Sequence, residues 1–151
     1  MGENTQDKAQ TGIGTVFVED LRLGMSRSLT KRIDPDLVEK FAAVSEDWNP
    51  IHFDDAAGQA SVFGQKVAHG MLSASLFSGL LGERLPGHGT IYLGQSLRFH
   101  GPVAIGDTVT ATVTVNEIRA DKRKVTLTCE ARVGSRLVIS GEATVLAPSR
   151  T

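Results

Sequence analysis

Apolar and polar side chains alternate along most of the second half of the chain. Between residues 108 and 115, valine or alanine alternates with threonine, and the same two-residue period continues over residues 125–133 and 137–145. This period is typical of strands with one buried face. Residues 91–99 predict a further strand, and Gly134-Ser135 suits a tight hairpin turn. Strands joined by hairpins favour an antiparallel sheet.

The first half of the chain contains a helical pattern. Asp34-Pro35 predicts a capped helix start, and apolar residues follow at roughly helical spacing up to Val44. Residues 25–33 weakly predict a strand before this helix, and residues 53–60 predict a short helix after it.

A second helical segment, residues 70–81, is apolar on nearly every side. Its remaining positions are serine and glycine, and no charged residue occurs before Glu83. Such a helix is expected to be buried on nearly every side, yet the segment is too short and too rich in serine for a membrane span. Together with the strands, it predicts an α+β fold in which a long antiparallel sheet wraps around one buried helix.

Length and charge define the domain and exclude some partners. With 151 residues, the chain fits one domain, which we place at residues 15–147, between a disordered leader at 1–14 and a tail at 148–151. The leader is polar and lacks the apolar segment of a signal peptide. A formal net charge of -1 gives no support for nucleic-acid binding, and no apolar run approaches the length needed to span a membrane.

The single cysteine, Cys129, cannot form an internal disulfide bond. This favours a reducing compartment, so we expect a cytoplasmic protein. Cys129 falls on the apolar phase of a predicted strand and is expected to be a buried, inert thiol. There are no further cysteines to build a metal cluster, and we expect no metal site.

The segment Ser45–His52 carries the first candidate chemistry. Asp47 and His52 stand five residues apart, on either side of the helix-breaking pair Asn49-Pro50. Once the helix ends, the carboxylate and the imidazole can converge on one water molecule, as acid–base catalysis requires. Asn49 is expected to orient this loop. Since these are ordinary turn residues, a plain helix exit without chemistry stays open as the alternative.

The start of the apolar helix is the second candidate. Unpaired N–H groups and the positive end of the helix dipole lie there, and Gly70 lacks a Cβ, so a ligand oxygen could approach closely. These N–H groups can stabilise an oxyanion. The alternative is that a glycine occurs at position 70 only because the packing there is tight. His69 is expected to be a structural histidine rather than a ligand.

Four segments resemble one known family. They are Ser45–His52, Val67–Met71, Leu76–Gly82 and Ile91–Leu97. These residues resemble the MaoC-like hydratases, and within that family the (R)-specific enoyl-CoA hydratases of the PhaJ type, over about residues 23–146. The broader family often has glycine before the catalytic aspartate. Glu46 departs from that pattern but matches the PhaJ-type subset.

The resemblance implies a hot-dog fold and a homodimer whose sheets join edge to edge, with acyl-CoA bound near the dimer interface. Asp47 and His52 correspond to the catalytic pair, and Gly70 corresponds to the backbone donor that holds the thioester oxygen. Ser78 and Leu81 occupy positions that line the acyl pocket in close relatives.

The implied reaction is reversible addition of water to trans-2-enoyl-CoA, which gives (R)-3-hydroxyacyl-CoA. No cofactor is expected beyond the coenzyme A of the substrate, and the sequence contains no dinucleotide-binding fingerprint after a strand. Which of Asp47 and His52 is the acid and which the base stays open, as do the acyl chain length and the choice between coenzyme A and acyl-carrier-protein substrates. An acyl-CoA thioesterase and a non-catalytic acyl-CoA-binding subunit are the alternatives.

Overall fold

The structure is a computed structural model that describes residues 12–151. The predicted leader therefore lies outside the described residues except for its last three positions. The described residues contain three α-helices, namely α1 (Pro35–Ser45), α2 (Asp55–Ala60) and α3 (Gly70–Glu83). Of the five strands, β1 (Ser26–Arg32) precedes these helices, and four follow them: β2 (Ile91–Phe99), β3 (Thr108–Arg119), β4 (Lys124–Val133) and β5 (Arg136–Leu146).

The five strands form one antiparallel sheet in the order β1-β3-β4-β5-β2. The predicted strands are confirmed, including the weakly predicted β1. Hairpins join β3 to β4 and β4 to β5, and Gly134 takes the positive φ of 59° that its tight turn requires. β1 and β2 are the two edges of this sheet, and β2 is exposed along most of its length.

Helix α1 begins and ends where the sequence predicts. The carboxylate of Asp34 accepts a hydrogen bond from the N–H of Leu37 at 2.9 Å, and Pro35 occupies the first helical turn. The helix ends at Ser45, and the next residue, Glu46, has a φ of 64° and donates its N–H to Ala42 O. This left-handed residue turns the chain away from the helix axis directly before Asp47.

The core lies between α3 and the concave face of the sheet. The alternating apolar residues of β3, β4 and β5 are buried, and they pack with Phe77, Leu80 and Leu81 of α3. This is the hot-dog, α+β architecture that the resemblance implies. Cys129 is fully buried as expected, and burial raises the pKa of its thiol.

One side of α3 is not covered by the described residues. Met71, Ser75, Ser78 and Gly82 are exposed along one stripe of the helix. The expectation of burial on nearly every side is therefore wrong for this stripe. Apart from Met71 its members are small, so leaving them exposed costs little hydrophobic free energy.

The start of α3 sits at one end of the sheet. The N–H of Ala68 donates to Val103 O at 2.8 Å, and the N–H of Val67 donates to Ile51 O at 3.3 Å. Residues 67–69 thus run between the loop after β2 and the turn that contains His52. This packing brings two segments with candidate chemistry together.

The ends of the described chain pack against the body of the domain. The N–H of Gly14 donates to Glu83 O at 2.9 Å, and the N–H of Val18 donates to Pro148 O at 2.8 Å. The predicted tail, residues 148–151, also contacts the domain, because the N–H of Arg150 donates to the carboxylate of Glu19 at 2.7 Å. Among residues 12–151 there is no helix with the length and apolar character needed to cross a membrane.

Candidate active site

Asp47 is held by a short network at the end of α1. Its N–H donates to Ser45 Oγ at 3.2 Å, and its Oδ1 accepts the N–H of Asn49 at 3.1 Å. The side-chain oxygen of Asn49 in turn accepts the N–H of Ile51 at 3.2 Å. Asn49 therefore caps the following 3-10 turn, Pro50–His52, as well as holding the Asp47 carboxylate. The loop-orienting role predicted for Asn49 is consistent with these contacts.

His52 is buried at the end of that turn and points back toward Asp47. Its Nδ1 lies 2.6 Å from Val67 O. A carbonyl oxygen only accepts, so Nδ1 carries a proton, and Nε2 carries the lone pair of the neutral imidazole. Nε2 lies 4.0 Å from Asp47 Oδ2, whose side chain is 49% exposed.

The gap between the two side chains suits a bridging molecule. A distance of 4.0 Å is too long for a direct hydrogen bond. A water oxygen placed between the two atoms can lie about 2.8 Å from each, which is an ordinary hydrogen-bond length. The structure therefore brings Asp47 and His52 together in the arrangement that the sequence analysis expected, without a direct bond between them.

A cavity of about 460 Å³ opens beside this pair. His52 and Gly70 both line it, and most of the wall is apolar, including Phe63, Met71 and Phe99. An apolar wall with a few polar groups is typical of a small-molecule site. His52, which faces the Asp47 carboxylate, and the candidate oxyanion donor Gly70 thus line one cavity.

Gly70 is the first residue of α3 and is exposed at this cavity. Its N–H makes no hydrogen bond to another described residue, as expected for the first turn of a helix. The ring of Phe99 closes over Gly70, so that a Cβ at this position would lie 2.7 Å from Phe99 Cε1. The absence of a side chain therefore lets the Phe99 ring and a ligand share the space around this N–H.

His69 lies directly behind the pair. It is buried, its Nε2 lies 2.9 Å from the main-chain carbonyl oxygen of Asp47, and its ring stacks on that of His52 with 3.8 Å between centroids. Its Nδ1 is buried and has no hydrogen-bond partner among residues 12–151. The expected structural histidine therefore has only one of its two ring nitrogens satisfied.

Asp47, His52 and His69 are also the residues that could together hold a metal ion, since one ligand atom from each lies within 4.8 Å of the others. Metal ions are bound in the plane of an imidazole ring. The two rings overlap with 3.8 Å between centroids and 31° between their planes. His69 Nε2 already bonds the main-chain oxygen of Asp47, so the set fits a water between Asp47 and His52 better than a metal ion.

Ser78 and Leu81 lie further along α3 and do not line this cavity. Ser78 is on the exposed stripe, and Leu81 is 1% exposed within the core. Their assignment to the acyl pocket stays a prediction.

Several residues that shape the site were not identified from the sequence. Val67 contributes only a carbonyl oxygen, Ser45 looks like any helix-terminal serine, and Phe99 looks like the last apolar residue of a strand. For His69, its position immediately before Gly70 was the one available signal.

Comparison with known proteins shows the family to which the chain belongs. The model of the MaoC like domain matches residues 17–135. An (R)-specific enoyl-CoA hydratase of Rhodospirillum rubrum is 48% identical over 134 residues, covering 89% of this chain and 93% of the relative. An (R)-specific enoyl-CoA hydratase of Aeromonas caviae is 50% identical over 131 residues, covering 86% of this chain and 98% of the relative.

Solved structures show the same fold. The (R)-hydratase from A. caviae involved in PHA biosynthesis superposes with a TM-score of 0.83 at 50% identity, over 86% of this chain and 99% of that one. An unliganded R-hydratase from Pseudomonas aeruginosa superposes with a TM-score of 0.85 at 37% identity, over 90% of this chain and 88% of that one. The chain belongs to the MaoC-like family and has the hot-dog fold.

Proposed function

We propose that this protein is an enoyl-CoA hydratase that adds water reversibly to trans-2-enoyl-CoA and forms (R)-3-hydroxyacyl-CoA. The observation that carries the proposal is the Asp47 carboxylate 4.0 Å from His52 Nε2, with His52 and Gly70 lining the same cavity. The names of the relatives support it, since two are (R)-specific enoyl-CoA hydratases and a third, from Methylorubrum extorquens, is a 3-hydroxybutyryl-CoA dehydratase at 40% identity.

Asp47 and His52 are suited to hold the reacting water by both of its hydrogens. An ionised carboxylate accepts hydrogen bonds, and His52 Nε2 also accepts when the ring proton is on Nδ1. A water that donates to both acceptors keeps its oxygen lone pairs free. One of these lone pairs can then attack C3 of the substrate, while the pair removes a proton from the water.

The N–H of Gly70 is suited to the other end of the reaction. Attack at C3 moves electron density onto the thioester oxygen, and a hydrogen bond from Gly70 at the positive end of α3 stabilises that charge. The resulting enolate takes a proton at C2 from the same acid–base pair. One proton leaves water and one returns to carbon, so Asp47 and His52 end as they began.

The chemistry needs no separate cofactor. Addition of water to a conjugated double bond causes no net oxidation or reduction, so the proposal includes neither a nicotinamide nor a flavin. The thioester supplies the activation, and coenzyme A is part of the substrate. A neutral imidazole and a carboxylate supply the proton transfer that a metal-bound water would supply elsewhere.

A homodimer is part of this proposal. β2 is an edge strand, and its exposed residues include Ile91, Leu93 and Phe99 at 55%, 51% and 50%. An uncovered apolar edge is prone to pair with another strand, and a two-fold axis would let two copies cover each other's β2. Phe99, the last residue of β2, lines the cavity. Such a dimer would therefore place the second copy near the substrate. A cytoplasmic location stays a prediction based on the single, buried Cys129.

The decisive experiment uses the purified full chain with crotonyl-CoA and longer trans-2-enoyl-CoAs. We expect loss of the conjugated enoyl absorbance, formation of the (R)-3-hydroxyacyl product in chiral analysis, and no release of free thiol. Free coenzyme A without hydrated product would instead identify a thioesterase. Binding without either product would identify a non-catalytic subunit.

A further inference from the structure

The side chain of His69 contacts both members of the proposed catalytic pair. Its Nε2 bonds the main chain of Asp47, and its ring covers the ring of His52. We propose that His69 is a positioning residue, which fixes the separation of the Asp47 carboxylate and His52 Nε2 while its proton is on Nε2. This proposal rests on the proposed hydratase function.

The first step of the argument is the contact with Asp47. A main-chain carbonyl accepts only, so the 2.9 Å contact to Asp47 O requires a proton on His69 Nε2. The N–H of Asp47 already donates to Ser45 Oγ at 3.2 Å. The main chain of Asp47 is therefore held from both sides, directly after the left-handed Glu46, where the chain leaves the helix. Without the bond from His69, the bond to Ser45 Oγ would be the remaining one of these two main-chain contacts.

The second step is the contact with His52. One hydrogen bond, from Nδ1 to Val67 O, fixes the His52 ring, and a ring held at one atom can still rotate about that bond. The His69 ring lies against one face of His52 with 3.8 Å between centroids, and this contact opposes such rotation. Rotation would move Nε2, the atom that faces the Asp47 carboxylate. The stack therefore sets where that nitrogen points.

The third step is the way His69 itself is held. The ring of Phe41 on α1 packs against it at 4.9 Å between centroids, and Phe53 approaches at 6.2 Å. His69 is 3% exposed and does not line the cavity. His69 thus contacts Asp47 and His52 on the side away from the cavity. In this position it can affect turnover rather than binding of the acyl group.

The unpartnered Nδ1 supports the same assignment. Moving the proton from Nε2 to Nδ1 would break the bond to Asp47 O and leave a buried N–H without an acceptor among residues 12–151. An unsatisfied buried donor costs about 1–3 kcal/mol. The surroundings therefore favour one tautomer of His69, which is the tautomer that bonds Asp47.

Three substitutions separate the two contacts. His69→Phe keeps a ring against His52 and removes the donor, His69→Gln keeps an N–H donor and removes the ring, and His69→Ala removes both. We expect kcat for crotonyl-CoA to fall about 10²-fold in His69→Phe, the scale of a small misplacement of catalytic groups. KM and the affinity for the saturated probe butyryl-CoA should stay within twofold. Partial recovery of kcat in His69→Gln, relative to His69→Ala, is expected if the bond to Asp47 matters.

The matched control is His88→Phe, since His88 is an exposed histidine that pairs with Glu83 at 2.9 Å and lies outside the cavity. This variant should keep the wild-type kcat. A wild-type kcat in folded His69→Phe and His69→Ala would overturn the proposal. If the wild-type protein does not hydrate crotonyl-CoA at all, the proposed function fails first, and this outcome is distinct from inactive variants of an active enzyme.

A measurement on the unmodified protein covers the case in which the variants do not fold. Long-range ¹H–¹⁵N correlation spectra of the imidazoles report which ring nitrogen carries the proton. We expect His69 with its proton on Nε2 and His52 with its proton on Nδ1. A His69 signal with the proton on Nδ1 would overturn the proposal without any substitution.

Discussion

At the scale of single residues, Asp47 differs from His52 in how it is held. Its carboxylate is half exposed, and one of its oxygens is occupied by the N–H of Asn49. The oxygen that faces His52 is therefore the one available to water. A substitution that changes only this oxygen should affect the chemistry and leave the loop in place.

Asp47→Asn is that substitution. The remaining carbonyl oxygen can still accept the N–H of Asn49, whereas the amide nitrogen can no longer accept a proton from water. We expect a loss of roughly 10²–10⁴-fold in kcat, the usual contribution of a positioned acid or base, with an unchanged melting temperature. Asp121→Asn, at an exposed hairpin at the opposite end of the sheet, is the control. Near-normal turnover by Asp47→Asn would show that the Asp47 carboxylate takes no part in the proton transfer.

Gly70→Ala tests the backbone donor. The added methyl group would meet the Phe99 ring at 2.7 Å, and that ring is half exposed at a strand end and can move. We therefore expect a folded protein in which the displaced ring and the methyl group hinder access to the N–H, so that kcat/KM falls by about 10²-fold or more. Gly82→Ala, in the same helix with nothing within 4 Å of the added Cβ, should keep its activity. Equal activity of the two variants would argue against an oxyanion site at Gly70.

The sequence indicates the residues proposed to carry the chemistry more clearly than the residues that hold them in place. Asp47 and His52 stand on either side of a proline break, which marks them, whereas Val67 acts through a carbonyl oxygen that every residue possesses. Phe99 reaches Gly70 only because the end of β2 lies beside the start of α3. Such long-range contacts have no local signal in the sequence.

At the scale of elements, α3 connects Gly70, the proposed oxyanion donor, to the core. The helix was predicted from its composition, and its start at Gly70 is confirmed. Its exposed stripe was not predicted, because an apolar helix does not show which side is left uncovered. Ser78 and Leu81 lie two to three turns beyond Gly70, roughly 12–16 Å away at ~1.5 Å rise per residue. A short acyl chain that follows the helix would end near them.

Leu81→Ala tests that path. If Leu81 limits the acyl chain, the ratio of kcat/KM for a long to a short enoyl-CoA should rise in the variant. The protein should also lose about 2–5 kcal/mol of unfolding free energy, because Leu81 is 1% exposed. Leu80→Ala is the matched control, since Leu80 is equally buried on the same helix. The same shift in both variants would show a general loosening of the core, and an unchanged ratio would show that Leu81 does not limit the chain.

At the scale of the whole molecule, β2 is a sheet edge that exposes large apolar side chains, including Ile91, Leu93 and Phe99. The register of β2 shifts between Tyr92 and Gly94, which leaves Leu93 outside the ladder with β5 and 51% exposed. The proposed homodimer would pair at this edge. The implied homodimer was expected from the resemblance, and the structure of one chain adds the position of the uncovered strand.

Leu93→Arg should therefore weaken self-association. We expect the wild-type protein to scatter light as a dimer and the variant to shift toward a monomer, because an arginine at the interface would have to be desolvated without a partner. Leu23→Arg, at a residue that is 68% exposed outside the strands, should stay dimeric. A wild-type monomer with full hydratase activity would contradict the proposed dimer. A Leu93→Arg variant that stays dimeric would show that the interface does not include Leu93.

The single gap between Asp47 and His52 has a stereochemical consequence. Both groups act from within 4.0 Å of each other, so the oxygen bound at C3 and the hydrogen bound at C2 should arrive on one face of the planar alkene. Hydration of crotonyl-CoA in deuterium oxide should then place deuterium at C2 in one diastereotopic position, syn to the new hydroxyl group. Scrambled deuterium in the initial product would mean that the proton at C2 comes from bulk solvent and not from the pair that held the water.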